Sequence, residues 1–288
     1  MTTLRSALFV FLFNLWTLVL GVLYLPLLLC PPAAVAGPAS FWVRGAFVLL
    51  RLVCGLSYQV RGEIPRGAAL VAAKHQSTLE TFAFRLILGD PAVILKRELL
   101  RIPFFGWYLG KTGVISIDRS AGARALKDMV KGADEAAQAG RQVLIFPEGH
   151  RMEVGAPPEY HTGIAMVYSG LGVPCVPVAV NTGLFWGRGS LAKRPGVATI
   201  EFLPAIPPAW TARPSWPGCR RPSRRPAPAW PPRRAGNGRT CPADRMVRPS
   251  LWISLWTRIG WSPEAPCGRM GITPSAPGES STCPVETK

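Results

Sequence analysis

The sequence predicts an α/β fold, a mixed, mostly parallel sheet flanked by helices and preceded by an N-terminal two-helix membrane motif. Three observations lead there. From residue 58 onward, short β-branched runs alternate with helical periods, the pattern of strand, crossover helix and strand. Residues 7–30, ALFVFLFNLWTLVLGVLYLPLLLC, carry no charge, and a second apolar stretch follows at 40–57. At 288 residues and 48% hydrophobic content, the chain has ample material for a core.

The elements follow in order. As a helix, 7–30 would extend roughly 36 Å at about 1.5 Å per residue, enough to cross a bilayer. Arg5 before it and Ala34-Val35-Ala36 after it also suit a secretory signal peptide, but the run exceeds the usual ~7–15-residue apolar region of such peptides. The stretch 40–57, SFWVRGAFVLLRLVCGLS, places Arg44 and Arg51 on one helical face. An arginine at mid-bilayer costs at least ~2.5 kcal/mol, so this helix is expected to lie in the interface, where both guanidinium groups reach head groups. The intervening PPAAVAGPA, with tandem prolines, reads as a linker. Arg5 at one outer end and Arg61, Arg66 and Lys74 at the other favour a hairpin with both ends on the cytoplasmic side.

Beyond the hairpin, strands are expected at Tyr58–Arg61, Ala69–Lys74, Ala92–Lys96, Val114–Ile117, Gln142–Phe146, Cys175–Val180 and Val197–Phe202, and helices at Thr78–Leu88, Ala121–Ala139 and Thr162–Ser169. The domain organisation is a membrane-anchoring hairpin over 1–57, a catalytic domain over 58–209 and a basic tail over 210–288. Net charge rises along these three, from +3 through +5 to +9. The tail holds fourteen Pro, six Trp and four Cys, with Arg doublets and no sustained period. It reads as a disordered basic segment, or as the product of a reading frame that departs from the native one near residue 210.

A basic balance suits nucleic acid, anionic lipid or an anionic substrate. No Cys/His finger, RNA-binding aromatic signature or basic heptad region is present, so no nucleic-acid partner is expected. Cys30, Cys54 and Cys175 stand far apart without metal-type spacing, so neither a zinc site nor a disulfide framework is expected.

Three motifs carry the chemistry. Lys74-His75-Gln76-Ser77-Thr78-Leu79-Glu80 sits where a strand gives way to a helix, and the first helical turn would bring Glu80 back to the His75 ring, fixing its tautomer and raising its basicity. Ser77-x-x-Glu80 is equally a capping box, in which Glu80 only satisfies backbone N–H groups. Lys96 to Gly106, KRELLRIPFFG, joins three cations to an apolar knob, suited to a phosphate with a greasy tail or to a basic turn lying on lipid. Phe146-Pro147-Glu148-Gly149-His150-Arg151 leaves another strand through a tight turn. Ser77 lies near His75, but no G-x-S-x-G elbow surrounds it, which speaks against a serine hydrolase.

These motifs and their order resemble the glycerolipid acyltransferase family over residues 58–208. Its block I, H-x4-D/E, corresponds to His75 and Glu80; block II to Lys96–Gly106, with Ile117-Asp118-Arg119 also similar; block III, E-G-T-R, to Glu148–Arg151; and the proline block to Val176-Pro177-Val178. The resemblance implies His75 as general base with Glu80 as its partner, and Lys96 and Arg151 on the acceptor's phosphate. Arg101, Glu148, Gly149 and Pro177 are further substrate-binding candidates. It implies transfer from acyl-CoA or acyl carrier protein to the sn-2 hydroxyl of lysophosphatidic acid, with no resident cofactor or metal. The implied setting is a bacterial inner membrane, the catalytic domain facing the cytoplasm among membrane lipids. Another lysophospholipid acceptor, or a membrane-anchored basic binding protein without activity, are the competing expectations. His150 stands where the family has Thr.

Overall fold

A computed structural model describes residues 2–157 and 159–208; the basic tail expected over 210–288 lies outside the described residues. The chain opens with two helices, α1 (Thr2–Leu23) and α2 (Ala33–Cys54), each of 22 residues and apolar enough to cross a membrane by length and composition. They run antiparallel. The Trp16 indole N–H donates to the Trp42 carbonyl at 3.1 Å, and the Trp42 indole N–H to the Thr17 hydroxyl at 3.0 Å. Gly45 admits the Trp16 ring, since a Cβ there would meet it at 2.4 Å.

The hairpin differs from the expected one at its bend. The first helix stops at Leu23, and Leu25–Leu29, with Pro26 in its first turn, winds as a 3-10 turn. The second helix begins at Ala33, within the expected linker, because proline is tolerated ahead of and in the first turn of a helix. Pro38 is carried inside α2.

Among the described residues seven strands follow: β1 (Leu56–Arg61), β2 (Leu70–Ala73), β3 (Ala92–Lys96), β4 (Ile115–Ile117), β5 (Val143–Ile145), β6 (Cys175–Val180) and β7 (Gly196–Phe202). They form one sheet in the order β1-β7-β6-β2-β5-β3-β4, in which only β6–β7 is antiparallel. The mixed, mostly parallel sheet is therefore as predicted, with strand ends shifted by one or two residues. Four helices connect the strands: α3 (Thr78–Ile87), α4 (Phe105–Lys111), α5 (Ala123–Gln138) and α6 (Gly163–Leu171). The helix expected from Ala121 starts at Ala123, because Arg119–Ala121 winds as a separate 3-10 turn that Asp118 caps.

Every residue of β2 and β6 is buried, as in a sheet covered on both faces. Val71, Phe84, Leu144, Val178, Ile200 and Phe202 centre the core. The hairpin packs on the domain over its length. Phe82 of α3 meets Phe13 and Trp42 at ring distances of 6.1 and 5.0 Å. Near the bend, the Tyr108 hydroxyl donates to the Gly21 carbonyl at 2.7 Å, and the Lys111 ammonium to that of Cys30 at 3.0 Å.

Because β6, β2, β5, β3 and β4 are neighbours and mutually parallel, their C-terminal ends lie along one edge. Thr182, His75, Gly149, Lys96 and Arg119 all sit at or just beyond those ends, the position where open α/β sheets bind ligands.

Candidate active site

The first turn of α3 organises the site. Ser77 is its N-cap in extended conformation, its hydroxyl accepting the Leu79 N–H at 3.1 Å. Glu80 is fully buried. Its Oε1 accepts the backbone N–H groups of Gln76 (2.7 Å) and Ser77 (2.6 Å) and lies 3.0 Å from His75 Nδ1. The Thr182 hydroxyl donates to Oε2 at 2.6 Å. The capping and pairing readings of Glu80 are thus both satisfied, by one oxygen. With Nδ1 facing the carboxylate, Nε2 is the nitrogen left for a ligand. The His75 ring stacks on Phe146 at a centroid distance of 4.2 Å, which fixes its plane.

The turn after β5 holds His75 by its backbone. Glu148, fully buried, accepts the His75 N–H on Oε2 at 2.9 Å, while its Oε1 pairs with the buried Lys74 ammonium at 2.9 Å. A buried carboxylate needs such a cation and donor. The Met152 N–H donates to the His75 carbonyl at 2.7 Å. Tyr160 lies with its ring 6.0 Å from the Lys74 ammonium; burial, and secondarily the Glu148 charge, push its phenol well above the usual range, so it remains protonated.

A cavity of about 800 Å³ opens in front of His75. Its lining includes apolar side chains, among them Leu20 and Val43 of the hairpin and Val93, Leu95, Leu126 and Met129 of the domain, and the cations Arg85, Lys96, Arg119, Arg151 and Arg188. Arg151 reaches the start of α3, donating to the Thr78 hydroxyl at 3.0 Å.

The structure therefore brings together His75, Glu80, Lys96, Gly149 and Arg151. Three expected substrate-binding residues stand apart from the cavity wall. Glu148 is turned inward, because its charge is consumed by Lys74 and the His75 N–H. Pro177 is buried in the middle of β6, opposite Ala72 in the sheet. Arg101 ends the exposed 3-10 turn Arg97–Arg101 and does not line the cavity. Sequence reasoning missed Thr182 and His161, and did not count Arg119 in the site although Ile117-Asp118-Arg119 signalled it. No local pattern marks Thr182, whose contact with Glu80 spans 102 positions.

A histidine backed by a buried carboxylate thus stands at the strand ends of an α/β sheet, on the wall of a cavity that apolar and cationic side chains line. Residues 57–181 match the Acyltransferase family model. The chain is 41% identical over 167 residues to the 1-acyl-sn-glycerol-3-phosphate acyltransferase of Pseudomonas aeruginosa, an alignment covering 57% of this chain and 65% of that one. The enzyme of the same name from Saccharomyces cerevisiae is 30% identical over 148 residues, 49% of this chain and 48% of its own. The chain thus spans between about half and just under two thirds of these relatives. The crystal structure of the 1-acyl-sn-glycerophosphate (LPA) acyltransferase PlsC from Thermotoga maritima superposes with a TM-score of 0.58 at 21% identity, covering 74% of this chain and 88% of that one, and shares the fold.

Proposed function

We propose that this chain is a 1-acylglycerol-3-phosphate O-acyltransferase, moving a fatty acyl group from a thioester of coenzyme A or acyl carrier protein to the sn-2 hydroxyl of lysophosphatidic acid. The observation that carries this reading is His75, backed by the buried Glu80, on the wall of one cavity that both apolar and cationic side chains line. The apolar lining suits a fatty acyl chain and the cations a phosphate, with the hydroxyl and the thioester carbonyl brought to the imidazole.

The reaction is direct transfer. Nε2 of His75 takes the hydroxyl proton as that oxygen attacks the carbonyl carbon, and the imidazolium formed is stabilised by Glu80 at 3.0 Å from Nδ1. The tetrahedral intermediate then expels the thiolate, which recovers the proton from His75. Thr182 and the two backbone N–H groups hold Glu80 in place throughout. Lys96 and Arg151 bind the acceptor's phosphate through charge-assisted hydrogen bonds.

The hairpin sets the reaction at the bilayer, and we place it in one leaflet of the bacterial inner membrane with the domain on the cytoplasmic side. Leu4, Leu8, Phe11, Leu15 and Leu18 form an exposed apolar face on α1. Lys111 and Tyr108 accompany the hairpin to its bend, and Arg44 and Arg51 are exposed on α2, an arrangement suited to a helix at head-group level.

Thiol release from palmitoyl-CoA, with lysophosphatidic acid in mixed micelles and the full chain as enzyme, tests the proposal. His75→Ala is expected to lower kcat by at least about a hundredfold, the low end of general-base contributions. An equally active His75→Ala protein overturns the mechanism, and acyl transfer only to other lysophospholipids overturns the acceptor.

A further inference from the structure

We infer that Trp186 and Lys193 are positioning residues of the reaction: by clasping the first turns of α1 they hold Thr182 against Glu80, which makes the seating of α1 part of the active-site geometry. The inference rests on the acyltransferase reading above. Thr182, Trp186 and Lys193 all belong to residues 181–195, the connection from β6 to β7.

The connection is exposed over 188–191, yet Lys193 is only 3% exposed. Its ammonium lies 4.9 Å from the centroid of the Trp186 ring and 5.6 Å from that of Phe9, and donates to the Leu191 carbonyl at 2.9 Å. Among the described residues no carboxylate pairs with it. A buried cation without a counter-ion is costly, and attraction to aromatic faces, stronger where water is excluded, offsets part of that cost. Stability alone does not account for a lysine here, because a methionine of similar length would fill the same space with no charge to desolvate.

The clasp closes on one face of α1. The Lys193 backbone N–H donates to the Ser6 hydroxyl at 2.8 Å, and Ser6 is fully buried. Phe9, 2% exposed, meets the Trp186 ring edge-on at 5.9 Å. Leu4, Leu8, Phe11 and Leu15 on the opposite face are exposed. From Trp186 the contacts lead directly to the catalytic pair. The backbone N–H groups of Phe185 and Trp186 donate to the Thr182 carbonyl at 3.1 and 3.0 Å, so one tight turn joins the clasp to Thr182. The Thr182 hydroxyl donates to Glu80 Oε2 at 2.6 Å, and Glu80 Oε1 is 3.0 Å from His75 Nδ1. Trp186 also packs on the buried cluster that contains Phe9 and Leu79, the residue before Glu80.

A contiguous path of contacts becomes a mechanism only when its members are energetically coupled, and a double-mutant cycle measures that coupling. The test determines kcat and both KM values of the full chain with palmitoyl-CoA and lysophosphatidic acid in mixed micelles, with a thermal melt of each preparation. Thr182→Val is expected to lower kcat about tenfold, the contribution of one hydrogen bond to a charged group. Lys193→Met and Trp186→Leu are expected to lower kcat by a similar factor, leaving both KM values within about twofold and the melting temperature within about 4 °C of the parent. Combined with Thr182→Val, neither should add to the loss. Where either variant melts lower, Ser6→Ala, which removes only the acceptor of the Lys193 N–H, carries the same comparison. Unchanged kcat in these variants, or losses that multiply with Thr182→Val to about a hundredfold, overturns the clasp. If His75→Ala still abolishes transfer in that case, the clasp falls alone; a parent chain that transfers no acyl group overturns the acyltransferase reading and the clasp together.

Discussion

Replacing Glu80 by Gln separates the two tasks that its Oε1 performs. The amide oxygen can still accept the Gln76 and Ser77 N–H groups, and the Thr182 hydroxyl can rotate to accept from the amide nitrogen, so the cap survives. What disappears is the negative charge 3.0 Å from His75 Nδ1. Taking the charge centres as about 4 Å apart and an effective dielectric of about 20, the carboxylate stabilises an imidazolium by roughly 4 kcal/mol. At about 1.4 kcal/mol per tenfold, that is up to about three powers of ten in kcat, and Glu80 is fully buried, so solvent screens little of it. The expected result is a hundredfold to thousandfold loss of kcat, with the melting temperature within about 4 °C of the parent. Initial rates of thiol release and a thermal melt of the same preparation are sufficient. Full activity with a lowered melting temperature would refute the reasoning and leave Glu80 as a helix cap alone.

Three further outcomes follow from the cavity, the hairpin and the core. Leu126→Trp should narrow the cavity at its apolar lining and reduce kcat/KM for long acyl donors more than about tenfold while sparing short ones; a uniform loss across chain lengths would show that this lining does not hold the donor chain. In inverted and right-side-out vesicles, Cys30 at the hairpin bend should react with a lipid-soluble maleimide and resist a membrane-impermeant one from the far side, whereas a hairpin that crosses the bilayer would be labelled there. Cys175 is fully buried and its thiol is pushed up by burial, so peptide mapping should find it unmodified in the folded protein by either reagent.

The sequence by itself determined the alternation of strands and helices, because β-branched runs such as Cys175–Val180 can be buried on both faces only in a covered sheet. It also brought His75 and Glu80 together, since five positions across a helix start is a local distance that helical geometry closes without the rest of the chain. The hairpin was legible from hydropathy, but its bend was not: tandem prolines read equally as a linker or as the start of a helix, and packing against Tyr108 and Lys111 accompanies the second choice. Only the tertiary structure decided which charged residues share the cavity. Arg119, Arg151 and His161 line one cavity because β4 and β5 end on the same edge of the sheet, while Glu148, inside a motif that pointed to the substrate, turns inward toward Lys74. Thr182 reaches Glu80 because β6 lies beside β2, a strand order set by the packing of the whole domain and written in no local pattern of residues.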